Sequence, residues 1–238
     1  MEKMKLICLP HAGGSAAIFN GWKASLVSEI TLENVELAGR GKRYRENFYT
    51  NVFEAVEDIY SIIHKELDAS PYAIFGHSMG SLLAFELGHK IQQEKRRIPE
   101  AFFFSGKAAP NFLTQESVHL YEKERFIKKI FSLGGTPAEL MNYKVLLDSY
   151  LPIIRADYKI VETYKFQNNR LLLNTPFYIF YGDKDPITLD KIKAWENYTS
   201  KSCEWFKFDG NHFFIKQQER LVINLINKIL IKKQKIGM

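Results

Sequence analysis

Three short segments carry side chains that together could transfer an acyl group. Gly76-His77-Ser78-Met79-Gly80 fits the pattern G-x-S-x-G. So short a pattern is weak by itself, but it follows an apolar run, Tyr72–Phe75, and precedes a Leu- and Phe-rich stretch with helical spacing. Strand, sharp turn and helix form the setting in which a serine hydroxyl is raised clear of a sheet edge. The flanking glycines permit the turn, because a Cβ at either position would collide with neighbouring backbone. The helix start also leaves free N–H groups beside the hydroxyl, where negative charge is favoured. With that context, a mere N-capping serine is the weaker reading.

A serine hydroxyl is a poor nucleophile near neutral pH and needs an adjacent base. His212, in Asp209-Gly210-Asn211-His212-Phe213, lies on a Gly-containing loop after the last apolar run and can reach across to the serine. The other histidines fit less well. His64 and His89 fall mid-helix and read as surface or interface residues, and His119 lies in a long insertion. His77 belongs to the turn itself, and His11 precedes a glycine pair. The base in turn needs a carboxylate to fix its tautomer. Gly182-Asp183-Lys184-Asp185-Pro186 follows the run Phe177–Tyr181 and offers two, while Asp209 is too close to His212 in sequence to sit opposite it. An oxyanion would be held by the N–H of Met79 and by an amide from the Gly-rich stretch Pro10-His11-Ala12-Gly13-Gly14-Ser15. That stretch lacks the Gly-Lys-Ser/Thr of a phosphate cradle.

The elements that must position these groups alternate between short apolar runs and helical patterns, the mark of a mostly parallel sheet flanked by helices. Strands are expected at Lys5–Leu9, Leu32–Leu37, Tyr72–Phe75, Ala101–Ser105, Phe177–Tyr181 and Cys203–Phe208. Val52, Val56, Ile59 and Ile62–Ile63 mark one helix face, and Leu82 to Ile91 a second helix. A last helix is expected over Arg220–Ile231 with Leu221, Leu225, Ile226 and Ile229 inward. All the chemistry-bearing segments then follow strands, which brings them to one edge of the sheet. The chain order Ser, Asp, His is that of the α/β-hydrolases. About 70 residues separate the strand ending at Ser105 from the next, far more than one crossover needs. Helical patterns at Tyr121–Leu133, Ala138–Leu151 and Ile153–Tyr164 are broken there by Gly134-Gly135-Thr136-Pro137 and by Pro152. A helical lid spanning about 107–170, inserted into a single α/β-hydrolase domain of residues 1–238, is the expected organisation.

Composition bounds the rest. The chain has 238 residues, 46% of them hydrophobic and 25% charged, ample for a core. No apolar stretch approaches a membrane span. Met-Glu-Lys-Met-Lys runs directly into Leu6–Leu9, too short for a signal-peptide core, so the cytoplasm is expected. Cys8 and Cys203 read as small strand hydrophobes rather than a disulfide or metal ligands. The net charge of +6 comes from scattered lysines, clustered only at Lys232-Lys233-Gln234-Lys235, with no nucleic-acid-binding motif.

Beyond the serine turn, Leu9-Pro10-His11-Ala12-Gly13-Gly14-Ser15-Ala16, Glu36-Leu37-Ala38-Gly39-Arg40-Gly41, Leu133 to Glu139 and Leu151 to Tyr158 complete a pattern. It resembles that of the type II thioesterases of nonribosomal peptide and polyketide assembly lines, from about residue 5 to 230. The Pro-His-Ala-Gly-Gly start and the Arg155-Ala156-Asp157-Tyr158 segment are its most specific parts. The resemblance implies Ser78 as nucleophile, Asp185 as the acid, His212 as the base, and the amides of Ala12 and Met79 as the oxyanion hole. It implies hydrolysis of acyl or aminoacyl thioesters on the phosphopantetheine arm of carrier domains, by a monomer with no metal or bound cofactor of its own. Ala38 stands where the family usually has Pro, and Asn211 where a Gly usually precedes the histidine. The competing expectations are a generic carboxylester or acyl-CoA hydrolase, since the same triad cleaves both, and an inert receptor fold, which would be expected to lose part of the triad.

Overall fold

The sheet is built from strands whose two faces are both apolar, as a parallel sheet covered on each side requires. In β1 (Met4–Leu9), Leu6 and Cys8 point to one side and Ile7 and Leu9 to the other. The same alternation divides Ala73 and Phe75 from Tyr72 and Ile74 in β3 (Tyr72–His77), and Phe103 from Phe102 and Phe104 in β4 (Ala101–Ser105). With β2 (Ile30–Asn34), β5 (Phe177–Gly182) and β6 (Cys203–Phe208), they form six parallel strands in the order β2-β1-β3-β4-β5-β6. The computed structural model describes residues 3–114, 116–134 and 142–236. Among them, no helix is long and apolar enough to cross a membrane.

One face of the sheet packs on α1 (Val52–Ile63) and α2 (Met79–Gln93), with Trp195 stacked on Phe104 at 4.2 Å between ring centres. The other packs on α7 (Glu219–Ile236) and the short turns containing Phe19 and Trp22. The expected strands at 101–105 and 203–208 stand as read, and the elbow strand extends through His77. β2 begins and ends earlier than expected. It is an edge strand whose extent is set by pairing with β1, Met4 against Ile30 to Cys8 against Asn34, so Val35 and Leu37 are buried beyond it. Two helix faces also differ. Ile62 is exposed, and in α7 the inward residues are Val222, Ile223, Ile226 and Leu230, with Leu225 and Ile229 at the margin and Leu221 outward. Both patterns contain more apolar residues than one face can hold, so packing chooses among them.

Between β4 and β5 the insertion folds into α3 (Lys123–Ser132) and α4 (Lys144–Glu162) around a small core of their own, Val118, Phe126, Ile130, Leu147, Leu151 and Ile154. The expected break at Pro152 does not occur. A proline inside a helix removes one hydrogen bond and crowds the carbonyl four residues earlier. Here Pro152 and Asp148 both lie on the exposed face, where water can serve that carbonyl, while Leu147, Leu151 and Ile154 anchor the inner face on either side. Apart from Gly134, the expected break at Gly134-Gly135-Thr136-Pro137 and the helical start at Ala138 lie outside the described residues.

Candidate active site

Register brings the ends of five strands level. Leu9 pairs with Gly76, His77 with Ser105, Ser105 with Phe180, and Gly182 with Phe208. Ser78 follows β3 and caps α2 with φ 54° and ψ −112°, a conformation that costs a non-glycine residue free energy and persists only where its surroundings enforce it. Those surroundings are on either side. The Ser78 amide donates to the Ser105 carbonyl at 2.8 Å, and the Ser81 hydroxyl donates to Gly76 O at 2.7 Å. A Cβ on Gly76 would lie 2.2 Å from Gly80 O, and one on Gly80 would lie 2.1 Å from Leu9 O. The two glycines therefore let the helix start close down on the strand ends and hold the serine up.

The histidine loop reaches this point from the other side. His212 Nε2 stands 3.0 Å from Ser78 Oγ, and its Nδ1 stands 2.7 Å from Asp185 Oδ2. The Asp185 side chain is 1% exposed and its other oxygen accepts the Ile187 amide at 3.3 Å. Asp183 points elsewhere, accepting the Gly210 amide at 3.0 Å and so bracing the loop that carries His212. Asp209 pairs with Lys184 at the surface. Asn211, which departs from the usual glycine, accepts the Phe213 amide through its side chain at 2.9 Å.

The loop after β1 lies beneath α4. Its Gly13 amide donates to Asp157 Oδ2 at 2.7 Å and its Gly14 amide to His11 O at 2.8 Å. Beside it, a cavity of about 230 Å³ is walled by Ala12, Ile18, Ile130, Ile154, Tyr158 and Phe213. A mostly apolar hollow bounded by the loop after β1, α4 and Phe213, the residue after His212, suits an acyl chain.

A family model described as "Thioesterase domain" matches residues 4–230. The chain belongs to the thioesterase family. Gramicidin S biosynthesis protein GrsT of Aneurinibacillus migulanus is 32% identical, covering 96% of this chain and 89% of its own. The structure of ClbQ from the colibactin NRPS/PKS pathway superimposes with a TM-score of 0.94 at 36% identity, over 99% of this chain and all of that one. The type II thioesterase BorB from the borrelidin biosynthetic cluster gives a TM-score of 0.87 at 31% identity, over 96% and 93% of the two chains. The resemblance to type II thioesterases read in the sequence holds over nearly the whole chain.

In this thioesterase the three residues read from sequence, Ser78, Asp185 and His212, are brought into one hydrogen-bonded line, with Ala12 on the loop after β1 and Met79 at the first residue of α2. Two histidines set aside earlier are buried beside them. His77 accepts or donates at Ser105 Oγ, 2.9 Å away, with its ring 5.3 Å from that of His212. Burial pushes its pKa well down, as it pushes that of His11 down to about 4. His89, expected as a surface or interface residue, is buried against Phe85, and burial lowers its pKa to about 4. Neutral imidazoles at His77 and His11 keep extra positive charge away from the site. Arg40 and Asp157 were quoted only as pattern residues. The signal that could have flagged them is a carboxylate placed within the apolar stripe Leu147, Leu151, Ile154, Ile160 of one helix.

Proposed function

We propose that this thioesterase is a serine hydrolase that clears acyl groups from the phosphopantetheine arm of carrier domains in nonribosomal peptide or polyketide assembly. The observation that carries the reading is His212, bridging Ser78 Oγ and Asp185. In the first step Ser78 Oγ attacks the thioester carbonyl carbon while His212 Nε2 takes the hydroxyl proton, and Asp185 stabilises the imidazolium. The charge on the carbonyl oxygen is met by amides. The Gly13 and Gly14 amides are committed elsewhere, and we assign the hole to Ala12 in the first loop, as the family resemblance implies, and to Met79 at the start of α2, the residue after the serine. Collapse breaks the C–S bond, and the departing sulfur takes the proton from His212. Water then attacks the acyl-serine by the same route and releases the acid. No step requires a metal or a cofactor of the protein's own; the phosphopantetheine belongs to the partner.

Residues 107–170 act in this reading as a lid within a single domain, covering the strand ends that the arm must reach. As a monomer in the cytoplasm, the enzyme would meet carriers where they are loaded. GrsT and ClbQ are named for such pathways, which supports a carrier-borne substrate. The test compares one acyl group on a carrier domain and on coenzyme A. The wild type should be labelled by a fluorophosphonate and should show higher kcat/KM on the carrier, since protein contacts add binding energy that the small thioester lacks. Ser78→Ala should fold normally and lose several orders of magnitude in kcat. Retained turnover in that variant would overturn the mechanism, and equal efficiency on both substrates would leave a general acyl-thioester hydrolase.

A further inference from the structure

The loop that supplies Ala12 is not held by the sheet alone. Beyond Leu9 it turns through Gly13, at φ +78°, and the Gly13 amide, the Gly13 carbonyl and the Gly14 carbonyl are all engaged from outside the loop. The Gly13 amide donates to Asp157 Oδ2 at 2.7 Å, and the Gly13 carbonyl accepts the hydroxyl of Tyr150, both on α4. Arg40, from the segment after β2, grips Asp157 with two hydrogen bonds of 2.6 Å each and donates to the Gly14 carbonyl at 3.1 Å. Arg40 and Asp157 are 3% and 2% exposed. Ile154, one turn before Asp157, fills the space over Gly13 so closely that a Cβ there would lie 2.7 Å from its Cγ1.

A buried, doubly hydrogen-bonded ion pair is weak evidence for stability, because the desolvation of two charges offsets most of their attraction. Apolar residues of similar volume commonly serve stability as well. What such residues could not do is bond the Gly13 amide and the Gly14 carbonyl together, fixing the rotation of the Ala12–Gly13 and Gly14–Ser15 peptides and so the backbone that leaves Ala12. A hole for an oxyanion works only when its donors are set before the charge appears.

We infer that Arg40 and Asp157 are positioning residues for the oxyanion hole, through which the seating of helix α4 on the loop after β1 sets the direction of the Ala12 amide. α4 is thus a support of the reaction centre as well as its cover. A tightly closed α4 and a competent hole become one state, so a site whose α4 has lifted is unable to hold the tetrahedral intermediate. This rests on the assignment of Ser78 and Ala12 made above.

The test uses the full chain and a reversible acyl trifluoromethyl ketone, whose adduct with Ser78 places an oxyanion in the hole. Arg40→Met/Asp157→Leu together removes both charges without stranding either; it takes the partners from the Gly13 amide and the Gly14 carbonyl, so it should fold with a lowered melting temperature. Its kcat should fall about 10- to 100-fold with KM changed less than about threefold, since a misdirected donor costs part of what a deleted one does. The inhibitor's Ki should rise by the same factor as kcat falls, a correlation that a purely structural role would not produce. Tyr150→Phe, which deletes one hydroxyl at a half-buried position, should fold and lose about fivefold in kcat with a matching change in Ki. A folded double variant with wild-type kcat, or a Ki unchanged while kcat falls, overturns the inference. Loss of activity in Ser78→Ala alongside an unaffected double variant would leave the mechanism standing and remove only this coupling.

Discussion

Asp183 and Asp185 share a loop, a charge and a strand to follow, yet their surroundings give them different work. Asp185 is buried with one oxygen on His212 Nδ1, whereas Asp183 accepts an amide from the histidine loop. In Asp185→Asn an amide favours the wrong imidazole tautomer, so kcat should drop about 10⁴-fold with the fold intact. In Asp183→Asn the amide oxygen can still accept from Gly210, so kcat should fall less than about tenfold. Steady-state turnover of a single thioester by the two variants decides, and the reverse ranking would exchange their roles. The sequence offered both carboxylates because each lies just past the same apolar run. What separates them is the turn itself, in which the Asp183 amide bonds Phe208 O, the Lys184 amide bonds Gly210 O and the Asp185 amide closes back on Gly182 O, so the two carboxylates do not share one side as they would on an extended chain. Ser78 and His212 were legible because their motifs are local. The link between Arg40 and Asp157 was not, since it joins segments 117 positions apart and has no spacing to read.

Elements were legible where one pattern admits one solution. β3, β4 and β5 carry apolar residues on two buried faces and lie where their apolar runs predict, and β6, at the sheet edge, is marked by the run Cys203–Phe208 although Glu204 and Lys207 are exposed. It went astray where context decides. An edge strand takes its length from its neighbour, α7 chooses among surplus apolar residues, and α4 carries Pro152 because both flanks are anchored. The joint between β1 and α2 shows how strictly two elements can be matched. The Gly80 position of α2 lies so close to the end of β1 that a methyl group there would meet the Leu9 carbonyl at 2.1 Å, a backbone atom without freedom to withdraw. Gly80→Ala should therefore cost about 3 kcal/mol as the helix start is pushed off the sheet. For a chain of this size that corresponds to a melting temperature lower by roughly 6–12 °C. A scan within 2 °C of wild type would show that the elbow gives way more easily than this packing implies.

At the scale of the molecule, three imidazoles are carried into the interior without charge. Burial holds His11 and His89 down at about 4 and His77 well below its ordinary value, and the charges of Lys216 and Arg40 oppose protonation of His11 further. In the unfolded chain each would titrate near 6.5. Between the two values the unfolded state binds more protons, so stability rises with pH across that window. The contribution is complete above about 6.5, declines as pH falls below it, and is exhausted near 4. For His11 alone the difference amounts to on the order of 3 kcal/mol. Asp58 acts in a lower window. Burial raises its pKa, but bonds to Arg43 and Tyr49 prevail and set it below the usual carboxylate value, so its share is lost only at more acid pH. Urea midpoints should then be level above pH 7 and fall steadily from 6.5 to 4.5. Replacing His89 with Leu should flatten part of that slope, because one proton-binding group is deleted from the unfolded chain. Growth of the positive net charge on acidification acts in the same direction, but it is screened by salt, whereas protonation of a buried ring is screened much less. Repeating the series in about 0.5 M salt, which shortens the Debye length roughly fourfold relative to about 0.03 M, should leave most of the slope in place. A slope that vanishes in salt, or one that His89→Leu leaves untouched, would place the acid sensitivity on the surface instead of on the buried histidines.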